Sequence, residues 1–83
     1  MMNMIYNSDH YCVVEFDAHA SLIAGGFEIV DKGARREIFL NGVLADDFRR
    51  GVADLVASGP TVEEVDAFLS RFDPLMQQRV MLH

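Results

Sequence analysis

Lys32, Arg35 and Arg36 crowd around Gly33 in the stretch FEIVDKGARREIFLNG, Phe27 to Gly42, of a chain with seven basic and thirteen acidic residues. Cations this close can grip a phosphate or a nucleic-acid backbone, and Arg49 and Arg50 are candidates to widen the contact. Two features argue against that reading. Within Phe27–Leu40 the cations are balanced by Glu28, Asp31 and Glu37, and no aromatic residues interleave with the arginines as a stacking platform for single strands requires. A charged hairpin tip in water is the plainer account, and nucleic acid is disfavoured as a partner.

His10 and Cys12 are the other chemically suggestive pair. On a strand, residues two apart point the same way, so both could touch one metal ion. A structural zinc site needs four ligands, usually in paired spacings, and the chain contains neither CxxC nor HxxxH. Asp9, Asp17 or His19 would have to complete the set by folding. No metal and no cofactor are therefore expected. For catalysis the chain shows no GxSxG, no HExxH and no phosphate loop. Asp46–Asp47 and Glu63–Glu64 are sequence neighbours that diverge around a helix, so neither is a close acid/base dyad. The expectation is a protein that is not an enzyme.

The elements that hold these residues follow from periodicity. MNMIY and YCVVEF read as two strands joined by the turn-forming NSDH. In the second strand Cys12, Val14 and Phe16 form one face, and this reads as the core face because the alternative, Tyr11 and Val13, ends in Glu15. The segment from Asp17 to Gly26 reads as one capped helical turn or a loop. Gly33-Ala34 suits a two-residue type II′ bend that sets Lys32 opposite Arg35, Asp31 opposite Arg36 and Ile29 opposite Ile38. Phe27, Ile29, Ile38 and Leu40 then share one face, and a slip of one residue would scatter them.

Leu44, Phe48, Val52, Leu55 and Val56 recur at helical spacing, with Gly59-Pro60 as the stop. Asp46 can reach Arg50 four residues on, and mid-helix Gly51 suggests close packing against the sheet. TVEE announces a second helix through a capping box of Thr61 and Glu64, with Val62, Val65, Phe68, Leu69 and Phe72 as its stripe. Asp73-Pro74 opens a further short turn, and residues 79–83 read as extended, a candidate fifth strand.

The fold class is α+β: an antiparallel sheet of about four strands in two hairpins, packed on one face by two C-terminal amphipathic helices. Eighty-three residues make one domain, 1–83. Met4, Val13, Val30 and Phe39 fall on the other face. That is more apolar surface than a bare face should show, so either the segment around 19–24 or a partner chain covers it. The methionines gather at the two chain ends, Met1, Met2 and Met4 against Met76 and Met81, and could form an adaptable contact surface if the ends pair.

A net charge of −6 repels nucleic acid and anionic membrane surfaces at long range. No apolar run reaches the roughly 18 residues of a membrane span, and the N-terminus lacks the pattern of a secretion signal. The single cysteine points to a reducing compartment, the cytoplasm.

Taken whole, MNMIYNSDHYCVVEF, AGGFEIVDKGARREIFLNG, VEEVDAFLSRFD and the closing VMLH resemble a family of short uncharacterised betaproteobacterial proteins, catalogued as a domain of unknown function. The resemblance implies a free-standing cytoplasmic bacterial protein and supplies no activity, cofactor or functional residue. The expected function is a non-catalytic protein-interaction or regulatory module whose partner is an unknown protein or a second copy of the chain. The alternative is a binder of nucleic acid or a phosphorylated ligand through Lys32, Arg35, Arg36, Arg49 and Arg50.

Overall fold

The computed structural model describes residues 2–17 and 25–78. Most of the Asp17–Gly26 segment, the expected strand at 79–83, and Met1, His19 and Met81 lie outside the described residues. Five antiparallel strands, β1 (Met2–Asn7), β2 (Tyr11–Phe16), β3 (Gly26–Asp31), β4 (Arg36–Asn41) and β5 (Gln77–Gln78), stand in the sheet in that order. Helices α1 (Gly42–Ala57) and α2 (Val62–Ser70) supply the second layer, followed by a 3-10 turn at Asp73–Leu75.

The β3–β4 register pairs Ile29 with Ile38, Phe27 with Leu40 and Asp31 with Arg36, as the alternation of apolar residues requires. Ile29 and Leu40 are fully enclosed, and Ile38 packs half-buried against them. The bend itself differs from the two-residue turn. It spans Lys32–Arg35, so Lys32 and Arg35 are loop residues and not a ladder pair. Gly33 stays out of the left-handed region, and Arg35 enters it at φ 56°. The Asp31 carboxylate explains the change: it accepts the Ala34 N–H at 3.0 Å and anchors a wider loop from within.

The core face of β2 is the reverse of the one its composition suggests. Tyr11 and Val13 are buried, whereas Cys12, Val14 and Phe16 are half-buried on the opposite face. Register decides the matter. Val13 pairs with Ile29 and Glu15 with Phe27, so both belong to the helix side, and Glu15 at the strand end is not enclosed. One carboxylate near a strand end costs too little to invert a face.

The α1 stripe is rolled from its expected position. Ala45 and Phe48 are buried and Val52 packs on the core, while Leu44 and Val56 are exposed. Small residues set this roll, because a Cβ on Gly51 would lie 2.9 Å from the Phe68 ring tip. The close approach at Gly51 is thus to α2 and not to the sheet. Gly59 takes φ 66° after α1 and donates its N–H to the Val56 carbonyl, the left-handed cap that stops the helix.

Thr61 and Glu64 close the capping box of α2 in both directions. Leu69 is buried and Val65, Phe68 and Phe72 pack on the core, but Val62 is exposed. Phe27, Phe48, Phe68 and Phe72 form one aromatic cluster with Phe48 at its centre, its ring 4.9–5.8 Å from the other three.

Candidate interaction surface

The sheet face away from the helices carries Met2, Met4, Cys12, Val14, Phe16, Glu28, Val30, Glu37 and Phe39, as the ladder registers require. Of the four residues expected to form an apolar partner surface there, Met4 and Phe39 are exposed and Val30 is on that face but buried. Val13 is not part of it: only 2% exposed, it lies under the helices, because β2 presents its odd-numbered residues to the core. Phe39 packs edge-on against Phe16 with ring centroids 5.7 Å apart and covers Gly26, where a Cβ would meet the ring at 2.9 Å.

The β1 side of the molecule gathers more exposed apolar surface. Met2 is 66%, Met4 60% and Ile5 45% exposed. A β-bulge falls between Met4 and Tyr6, which releases Ile5 from the ladder and changes which face the strand presents. Ile5 and Tyr6 then line an apolar cleft of about 110 Å³ with Val52 and Val56 of α1 and Val65 and Phe68 of α2. That volume is well below the ~300 Å³ at which small-molecule pockets begin, so the cleft suits a single protruding side chain better than a substrate. Met76 is buried near β5, at the opposite edge of the sheet from β1, so among the described residues it does not meet Met2 or Met4.

The basic residues do not form one patch. The Lys32 ammonium donates to the Asn7 side chain and, at 2.6 Å, to the Ser8 carbonyl, locking the β3–β4 loop to the β1–β2 turn. Arg36 pairs across the ladder with Asp31. Arg49 bonds Asp46 at 3.2 Å and lies over the Phe27 ring, near the strand ends remote from the hairpin tip. Arg50 bonds Asp47, so Asp46 serves Arg49 three residues on and not Arg50. Cys12 faces Asn7 and Val30 across the ladders, and His10 is exposed in the turn before β2. Among the described residues no three or more His, Cys, Asp or Glu side chains are placed to hold a metal ion.

A polar seam between the first hairpin and the C-terminal elements has no counterpart in the sequence reading. Tyr6 and Ser8 both donate to Asp66, at 2.8 and 2.9 Å. Burial raises the Tyr6 hydroxyl above its ordinary value, and the bond to Asp66 adds to it. Tyr11 donates to Asp73 at 2.8 Å, and burial followed by that bond raises its hydroxyl strongly. Asp73 meets Asp31. Burial and the bond to Asp31 raise Asp73 above the usual carboxylate range, while the bond from Asp73 holds Asp31 below it, assisted by the Ala34 and Gly33 amides and Arg36. Each shift follows from the other, because two neighbouring carboxyls do not ionise as independently as one alone. Such a pair can do acid/base chemistry, but neither residue lines the apolar cleft.

The pair sets a pH dependence of stability. Asp73, raised on folding, contributes stability that is complete below its unfolded value and lost as pH climbs through its folded one. Asp31, depressed on folding, contributes above its unfolded value and loses that contribution as pH falls through its folded one. The stability contributed by the pair is thus greatest near the ordinary carboxylate value and falls away on either side of it. In Asp73→Asn an amide donates permanently to Asp31, so urea midpoints should stop falling as pH rises above the ordinary carboxylate range. An unchanged decline in the variant would mean that Asp73 does not cause it.

No helix among the described residues is long and apolar enough to cross a membrane. No solved structure matches the chain. A curated relative, Protein BTH_I0359 of Burkholderia thailandensis, a betaproteobacterium, is 55% identical over 85 residues that cover 99% of this chain and all of the relative. The family model described as "Protein of unknown function (DUF3567)" matches residues 2–83. By that match across nearly its whole length, and by the close likeness to the Burkholderia protein, the chain belongs to the DUF3567 family of proteins of unknown function.

Proposed function

We propose that the chain is a non-catalytic protein-interaction or regulatory module of the bacterial cytoplasm. One observation carries this reading: Met2, Met4 and Ile5 are exposed together on one strand, beside a cleft sized for a side chain. Large apolar residues that cluster in this way on a small acidic domain mark contact surfaces. The free thiol of Cys12 suits a reducing compartment.

The competing reading, an anion or nucleic-acid binder, has less support. Lys32 is committed to the β1–β2 turn, and Arg49 and Arg50 are committed to neighbouring aspartates.

The reading is tested by capturing partners with the tagged protein and with Met4→Asp, a surface change expected to cost the fold no more than about 1 kcal/mol. A partner retained by the wild type should be lost by the variant and kept by Arg36→Ala. Capture that survives Met4→Asp but not Arg36→Ala would reverse the assignment in favour of the basic tip.

A further inference from the structure

The geometry points to a second copy of this chain as the occupant of the β1 side, through antiparallel pairing of β1 with β1 about a two-fold axis normal to the sheet. The inference rests on the proposed interaction role and names its partner.

An edge strand shows a row of unpaired backbone donors and acceptors, and natural sheets blunt their edges with charge, proline, short length or bulges. At one edge of this sheet the described residues of β5 are Gln77–Gln78. β1 at the other runs for six residues, MNMIYN, with no proline and none of the chain's thirteen acids or seven bases. Its single irregularity is the bulge at Ile5, and Met2–Met4 before it keep regular pairing with Phe16–Val14. The described residues place no further strand on its free side.

Charge selects the partner. Copies that each carry −6 repel one another at every acidic face, so they can approach closely only where that charge is missing. β1 is such a place. A basic foreign partner, which the net charge would attract, finds no acid on this strand to pair with.

Symmetry makes the apolar flanks self-complementary. A two-fold normal to the sheet keeps both helical layers on one side. Met2 and Met4 then meet their counterparts on the open face. On the helix side Val56, which lines the cleft with Ile5, and Val62, whose carbonyl is 3.5 Å from the Tyr6 hydroxyl, face their own counterparts. Five of the exposed large apolar residues, Met2, Met4, Ile5, Val56 and Val62, thereby lie along one seam. The product is a continuous sheet whose two remaining edges are both β5.

Sedimentation equilibrium tests this on the wild-type chain, on Met4→Lys and on Ile5→Lys, with far-ultraviolet circular dichroism to confirm that each variant is folded. The wild type should exceed the 9.3 kDa of one chain and approach twice that mass as concentration rises. Added salt should tighten the association by screening the net charge. Each folded lysine variant should weaken it by at least about a hundredfold, because the two-fold brings like charges together. A wild type that stays monomeric at millimolar concentration overturns the inference. So does a dimer that both variants leave intact. If the wild type is monomeric while Met4→Asp still loses a foreign partner, the second copy is excluded and the interaction role stands.

Discussion

Gly26→Ala is expected to lower stability by about 3 kcal/mol, at the upper end of the usual cost of overpacking. The added Cβ would lie 2.2 Å from the Leu40 carbonyl oxygen and 2.9 Å from the Phe39 ring. The ring could swing away, but the carbonyl belongs to the β3–β4 ladder at its Gly26–Asn41 end and has nowhere to go. A chain of this length holds roughly 4–12 kcal/mol in all, so the loss is a large share of the total. Thermal unfolding should come about 12–24 °C earlier. Gly33→Ala is the internal control: its Cβ would have only the Asp31 carboxylate near it, at 3.7 Å, and the melting point should barely move. Equal effects at the two glycines would contradict the register assigned to β3 and β4.

Phe48→Ala should cost as much or more, about 3–5 kcal/mol, the range found for emptying a buried aromatic site. Phe48 is 2% exposed and is the one ring that touches Phe27 of the sheet together with Phe68 and Phe72 of the C-terminal segment. Its loss therefore uncouples three elements at once, and the remaining rings cannot collapse onto a common centre. Urea denaturation would show a lower midpoint and a chain close to the limit of folding at 37 °C. A loss below about 1 kcal/mol would show that the cluster does not hold the layers together.

The pattern of what could be foreseen has physical causes. The Phe27–Leu40 register was legible because strand alternation has a period of two and leaves one consistent pairing. The Thr61–Glu64 box and the Gly59 stop were legible because caps are local chemistry. The inner face of β2 was not, since it depends on Val13 meeting Ile29 across strands that an undetermined connection joins. The roll of α1 escaped for a similar reason: Gly51 reports its packing partner, Phe68, only once α2 is in place. Asp31 and Asp73 carry no mutual signal along the chain, and only the return of the C-terminal segment to the sheet brings them together. The exposed apolar surface was foreseen on the far face at Met4 and Phe39, but its concentration along β1 required the sheet order and the bulge at Ile5.

The bare, uncharged β1 edge is the feature on which the interaction role and its partner turn, and amide hydrogen exchange reads it residue by residue. Between micromolar and millimolar protein, the β1 amides that are not bonded to β2 should slow their exchange progressively, while the β5 amides should not change. Rates in β1 that stay fast and independent of concentration across that range would contradict the account.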